Sequence, residues 1–137
     1  MIEVRIITEF PGDMLEHIAG FYISAQWITS EDDTSFLLPA LSGSTLVAGA
    51  FDGNKIIGCG RAISDGCSDA YIQDVFVSPE YRGQGIGREL IKSLTDALQK
   101  LGVDWIALVG EPGTEKFYQR LGWKKKAGYT MWQWDNK

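Results

Sequence analysis

Between Val77 and Leu90 the chain reads VSPEYRGQGIGREL. Gly83, Gly85 and Gly87 fall within five residues, after the apolar run Val75-Phe76-Val77 and ahead of a helical pattern. A strand that runs through a glycine turn into a helix constrains the fold more than any other feature here. The first turn of a helix leaves backbone N–H groups unpaired and carries partial positive charge. Glycine allows positive φ and lets an anion approach the backbone closely. The loop from Arg82 to Arg88 is therefore a candidate cradle for a phosphate or pyrophosphate. The competing explanation is a tight strand-to-helix turn with no ligand.

The flanking pattern supports a strand–loop–helix–strand unit. After the loop, Leu90, Ile91, Leu94, Ala97, Leu98 and Leu101 recur at three-to-four spacing, with Lys92, Asp96 and Lys100 opposite. Gly102 is expected to close that helix, and VDWIALV to follow as a short buried strand. Two parallel strands joined by a helix take a right-handed crossover. Upstream, residues 2–8 alternate as a strand. A helix follows with Leu15, Ile18, Tyr22 and Ala25 on one face, with Asp13 as its expected cap. SEDDTSFLLPAL reads as a second short helix with a loose capping box at Ser30 and Asp33, ended by Pro39 or Gly43. Thr45–Phe51 and Lys55–Ile63 meet through Asp52-Gly53-Asn54 as a hairpin, and DAYIQDVFV is a third strand in series. PGTEKFYQRLG reads as a helix with Pro112 near its start and Gly122 past its end. WKKKAGYTMWQWD reads as a closing hairpin. The order β-α-α-β-β-β-α-β-α-β-β gives an α/β (α+β) fold: a mixed, mostly antiparallel sheet with helices on both faces and one parallel βαβ unit.

Residues 1–137 are expected to form a single domain. Apolar residues make up 45% and charged residues 23%, which places the chain among ordinary globular proteins. The formal net charge of −5 disfavours nucleic acid and anionic membranes and mildly favours cationic small molecules. Cys59 and Cys67 form no CxxC pair and His17 is the sole histidine, so no metal site is expected. The lack of a disulfide framework points to a reducing, cytoplasmic setting. The first ten residues, MIEVRIITEF, do not read as a signal peptide, and no stretch approaches the roughly 20 apolar residues of a membrane span.

Two nucleotide motifs fail on spacing. A phosphate-binding loop of the NTPase type needs Lys and Ser/Thr directly after its last glycine, where this chain has Arg88-Glu89. A dinucleotide fingerprint needs glycine at position 88. Gly58-Cys59-Gly60 starts the same pattern, but Ile63 breaks it and the run lies within a strand. What fits is Arg82-x-x-Gly85-x-Gly87 after a strand ending at Val77. It resembles motif A of the GNAT superfamily of acyl-CoA-dependent N-acyltransferases. FYQRLGW at 117–123 resembles the C-terminal signature of that superfamily, and the element order resembles its fold over the whole chain. More loosely, GRAISDG, DAYIQDVFVSPEYRGQGIG, Asp74 and the terminal MWQW are similar to a branch that contains plant serotonin N-acetyltransferases and small bacterial relatives.

The resemblance implies acetyl-CoA as co-substrate and no metal. It implies that the pantetheine arm pairs with the backbone of Val75, Phe76 and Val77, and that the pyrophosphate rests on Arg82, Gly83, Gln84, Gly85, Ile86, Gly87 and Arg88. A backbone N–H near Phe76 or Val77 would face the thioester oxygen. Phe117 also falls at the cofactor. Glu111 stands where the family often has asparagine, a departure that bears on one cofactor contact. Tyr118 is the candidate general acid, since a phenol of pKa ~10 stays protonated at neutral pH. On that helix Phe117 and Leu121 should face the core and Tyr118 should be turned off that face. Asp74 is the candidate base on the central strand, where burial would raise its pKa; bracing a neighbouring turn is the other role open to it. Candidate acceptor-lining residues are Trp27, Glu31, Asp32, Asp33, Phe36, Gln73 and Tyr129, a set of carboxylates and aromatics suited to an ammonium or arylalkylamine. The acids equally suit a solvated helix start.

The implied activity is acetylation of a small primary amine. Acetylation of a protein lysine or N-terminus, and a non-catalytic acyl-CoA sensor, are the alternatives. A monomer or a homodimer is compatible with the sequence.

Overall fold

The computed structural model describes residues 1–135. Its strands are β1 (Ile2–Ile6), β2 (Leu46–Asp52), β3 (Lys55–Ser64), β4 (Asp69–Val77) and β5 (Trp105–Leu108). They form one five-stranded sheet in the order β1-β2-β3-β4-β5. The first four pair antiparallel in series, and the β4–β5 pair is parallel. The β2–β3 turn is the expected one, with Gly53 at φ 61° in the left-handed region that glycine tolerates.

Helices cover both faces, as the apolar periodicities require. On one face α1 (Gly12–Ser24) and α2 (Leu37–Ser42) bring Ile18, Phe21, Tyr22, Leu37 and Leu41 against Val47, Phe51, Ile56, Cys59 and Phe76. On the other, α3 (Ile86–Lys100) buries Leu90, Leu94 and Leu98 completely. Each such leucine contributes about 1.5–3 kcal/mol by leaving water. Gly58 and Gly60 make room for α3. A Cβ on Gly58 would sit 2.9 Å from the Phe76 carbonyl oxygen and 3.4 Å from Leu90 Cδ1. One on Gly60 would lie 3.3 Å from Leu94 Cδ1. These glycines therefore serve close packing between strand and helix.

Chain contacts divide the molecule into two compact units, Met1–Ala107 and Leu108–Lys137. The second contains α4 (Glu115–Arg120), whose last turn closes with Gly122 at φ 90° and Trp123 N–H donating to Tyr118 O at 3.0 Å.

Several boundaries differ from those read in the sequence. The residue before α1 is Pro11, with no side-chain cap, and Asp13 lies inside the first turn. α2 begins at Leu37, not at Ser30, because the acids upstream bond to their own turns: Asp32 accepts from Thr29 N–H and Asp33 from Ser35 N–H. Such local bonds compete with helix. Pro39 lies within α2, where the missing N–H of a first-turn residue costs nothing, and Gly43 ends it. Pro112 lies outside α4, which begins at Glu115 with Thr114 as its N-cap.

The closing hairpin does not form: residues 123–135 contain no strand. Three adjacent lysines and Gly128 at φ 86° interrupt the alternation a hairpin needs. Tyr129, Met131, Trp132 and Trp134 are accordingly exposed.

Candidate active site

The glycine loop has the local geometry of an anion cradle. After β4 a 3₁₀ turn, Pro79–Tyr81, leads into Arg82. Gly83 and Gly85 both take positive φ, 80° and 79°, with nothing within 4 Å of where a Cβ would stand. Gly85 is the N-cap of α3, so no side chain satisfies the amides of its first turn. The first of them to reach a loop carbonyl is Glu89 N–H, on Gly85 O at 3.1 Å. Those donors sit at the positive end of a 15-residue helix. Arg82 donates from Nε to Val77 O at 2.9 Å and lays its guanidinium 5.2 Å from the Phe76 ring centre. This fixes one cation across the end of β4. Gln84 and Arg88 are exposed beside it, Ile86 is buried as an anchor, and Gly87 is half-buried.

β4 carries a bulge at its centre. Arg61 lies opposite Gln73 and Cys59 opposite Phe76, so Asp74 and Val75 together face Gly60. Asp74 takes φ 58°, a conformation asparagine and aspartate adopt more readily than other side-chain-bearing residues. Bulges re-aim side chains, and this one delivers the Asp74 carboxylate to the α1–α2 face. There Asp74 Oδ2 accepts from Tyr22 Oη at 2.7 Å and from Arg61 Nε at 2.8 Å. Arg61 Nη1 also reaches Ser44 Oγ at 3.3 Å and Ala40 O at 3.5 Å, at the end of α2. Burial, then the Asp74 hydrogen bond and charge, push the Tyr22 phenol far above its usual range, so it stays a donor. Burial works to lower the Arg61 pKa, but Asp74 outweighs it and the net shift is upward. Cys59, whose Sγ lies 3.8 Å from Asp74 O, is pushed up to about 12 by burial and is inert as a thiolate source. Asp74 thus ties β4 to α1 and β3, where the sequence suggests a base or the brace of a neighbouring turn.

Aromatic rings surround this group. Tyr22 meets Trp27 edge-on at 5.0 Å and Phe36 at 6.2 Å, while Phe76 stacks on Phe21 at 5.2 Å and meets Trp27 at 6.3 Å. Of the candidate acceptor residues, Trp27 and Phe36 therefore lie around Tyr22, the partner of Asp74, and Gln73 precedes Asp74 on β4, opposite Arg61. Glu31, Asp32 and Asp33 are exposed in the loop before α2. The Ser35 amide and hydroxyl hold the Asp33 carboxyl below its usual range, which is the behaviour of turn-forming acids.

Tyr118, Phe117, Glu111 and Tyr129 lie in the 108–137 unit. Tyr118 is half-buried, with Phe117 edge-on at 5.0 Å, Trp123 at 6.2 Å and Gly110 beside its ring. Burial, then the charge of Glu111, raises its pKa above 10.0, so the phenol keeps its proton at neutral pH. Phe117 is 36% exposed, against the expectation that it would face a core. Six residues make a helix too short to bury a full face, and none of α4 is buried. Tyr129 is exposed, with Lys126 Nζ 5.6 Å from its ring centre.

Tyr22 and Arg61 were missed from the sequence. The signal was present: an arginine inside KIIGCGRAIS, a run otherwise apolar, needs a buried or half-buried counterion. Asp74 in the next strand supplies it.

The profile of the acetyltransferase (GNAT) family matches residues 12–123. The chain belongs to that family. It is 43% identical over 70 residues to GCN5-related N-acetyltransferase 2, chloroplastic, of Arabidopsis thaliana, covering 51% of this chain and 27% of that protein. It is 42% identical over 62 residues to serotonin N-acetyltransferase 2, chloroplastic, of Oryza sativa, covering 45% of this chain and 31% of that protein. The chain thus matches under a third of the length of either relative. A GNAT acetyltransferase structure from Streptococcus pneumoniae superposes with TM-score 0.80 at 27% identity, covering 100% of this chain and 99% of that one. The GNAT family uses acetyl-CoA as acetyl donor. Among the described residues no group of side chains is arranged to hold a metal ion, and no helix is long and apolar enough to cross a membrane.

Proposed function

We propose that the protein transfers the acetyl group of acetyl-CoA to a small primary amine, with an arylalkylamine as the leading class. The observation that carries the reading is the uncapped, glycine-opened start of α3 directly after β4. Its free amides fit a pyrophosphate, and Arg82 adds a cation held in place by Val77 O. Residues 75–77 would pair with the pantetheine arm, and an amide of Phe76 or Val77 would donate to the thioester oxygen as it gains charge.

Bound acetyl-CoA supplies an activated carbonyl; the chain supplies position and protons. The amine nitrogen bonds to the acetyl carbon, the C–S bond breaks, and the thiolate takes a proton. Tyr118 would give that proton, and its raised pKa keeps the proton available. The ammonium proton of the incoming amine would pass to Asp74, directly or through water. Trp27, Phe36 and Gln73 would line the amine site, with the rings favouring a cation and an aromatic body. The rice relative is a serotonin N-acetyltransferase, which supports that class. Both cysteines are free, which suits a reducing compartment such as the cytosol.

A thiol-release assay with acetyl-CoA and a panel of arylalkylamines, polyamines, amino acids and lysine peptides tests the reading. Turnover should be highest with a small arylalkylamine. Turnover confined to peptides would replace the small-molecule acceptor with a protein one.

A further inference from the structure

The Asp74 carboxylate is asymmetric in its bonding. Oδ2 receives two donors, Tyr22 Oη and Arg61 Nε, at 2.7 and 2.8 Å. Oδ1 accepts from no residue among those described. The side chain is 24% exposed, so the carboxylate group is not sealed from solvent. The two donors on Oδ2 hold the carboxylate in one orientation, on a residue that the bulge sets at φ 58°. Arg61 in turn is pinned at Nη1 to Ala40 O and Ser44 Oγ. A positively charged donor beside a carboxylate also neutralises the pair, which makes a half-buried acid tolerable. If the only need were neutralisation, Arg61 alone would suffice. Tyr22 adds a second donor on the same oxygen, and its phenol is kept protonated by burial and by Asp74.

We propose that Tyr22 and Arg61 are positioning residues that occupy one oxygen of Asp74 so that the other receives the ammonium of the acceptor amine. This rests on the acetyl-transfer reading above and assigns it a specificity device. The single open oxygen takes one N–H of a primary ammonium, while the Trp27 and Phe36 rings pack on Tyr22 and Phe76 in turn meets Trp27. Neither residue needs to touch the substrate.

The test is steady-state kinetics of Tyr22→Phe, Arg61→Gln, Asp74→Asn and the double variant Tyr22→Phe/Asp74→Asn, with a good amine and with acetyl-CoA varied separately. Tyr22→Phe removes one hydroxyl and keeps the ring, so it reports even if Arg61→Gln fails to fold; a melting transition checks each protein. Asparagine tolerates the left-handed backbone at position 74. The expected result is a roughly tenfold rise in amine KM for Tyr22→Phe, in the range for a hydrogen bond to a charged group. The KM for acetyl-CoA should stay within about twofold. In the Asp74→Asn background the Tyr22→Phe change should add almost nothing, because both act through one carboxylate. An unchanged amine KM in Tyr22→Phe overturns the inference, as do single effects that multiply in the double variant, and both outcomes leave the acetyl-transfer reading standing. A wild-type protein that releases no thiol with any amine overturns that reading and this inference together.

Discussion

Gly85 offers a substitution pair in which free-protein stability and ligand binding should move in opposite orders. Gly85 sits at φ 79° with nothing within 4 Å of a Cβ, so any side chain is strained by backbone alone and not by contact. Alanine in the left-handed region costs about 1–2 kcal/mol. For a chain of 137 residues the unfolding entropy makes each kcal/mol worth about 3–4 °C. Gly85→Ala should therefore melt about 3–7 °C below wild type. Aspartate visits that region more readily than alanine, so Gly85→Asp should lose less. Acetyl-CoA at 100 times its Kd stabilises the wild type by about 2.7 kcal/mol, a rise of about 8–10 °C. In Gly85→Asp a carboxylate about 5 Å from a phosphate charge opposes binding by about 3 kcal/mol at an effective dielectric of about 20, enough to erase the rise. Gly85→Ala brings no charge and should keep part of it. The assay is thermal melting of the three proteins with and without acetyl-CoA at fixed salt. A Gly85→Asp protein with the full ligand shift would refute the placement of the pyrophosphate on this loop.

Tyr118→Phe should lower kcat about 10²-fold and leave acetyl-CoA affinity within a few-fold, measured by thiol release and by titration. Because burial and Glu111 raise the Tyr118 pKa above the usual phenol value, the wild-type rate should fall only at strongly alkaline pH, and the phenylalanine variant should lack that fall. Gly58→Ala forces a Cβ to 2.9 Å from Phe76 O and should cost about 1–3 kcal/mol, read as a Tm lowered by about 3–10 °C. Asp65 accepts from Ser68 Oγ and from the Cys67 and Ser68 amides, which hold its carboxyl well below the usual range. A depressed native pKa stabilises fully above the unfolded value near 3.9 and is lost as pH falls below it. Denaturant unfolding of Asp65→Asn should thus show a deficit at pH 7 that shrinks as the pH drops below about 4.

The central βαβ unit was legible because its signals are local. Glycine spacing after Val77, a long amphipathic period over α3 and a short apolar strand at β5 each speak within a few residues. The β2–β3 hairpin announced itself in the same way through its turn residues. The α2 start was misread because Ser30 and Asp33 match a capping pattern, while Asp32 and Asp33 spend their oxygens on Thr29 and Ser35 amides instead. The closing hairpin was misread from β-prone aromatics, whose alternation counts for little without a strand to pair with. The site shows the same division. The Arg82–Arg88 loop is contiguous and readable. The Tyr22–Asp74–Arg61 group joins residues 52 and 13 positions apart through a bulge that no residue pattern marks. Only the charge of Arg61 in an apolar run hinted at it.

The most direct test of acetyl transfer is to incubate the protein with acetyl-CoA and one arylalkylamine, and to count free thiol and N-acetylated amine in the same samples. Both should appear together in equal amounts, at a rate saturating in each substrate and reduced about 10²-fold by Tyr118→Phe. Acetyl-CoA that raises the melting temperature yet yields neither product with any amine or peptide in the panel would contradict acetyl transfer, and would mark the protein as a binder of acyl-CoA without transferase activity.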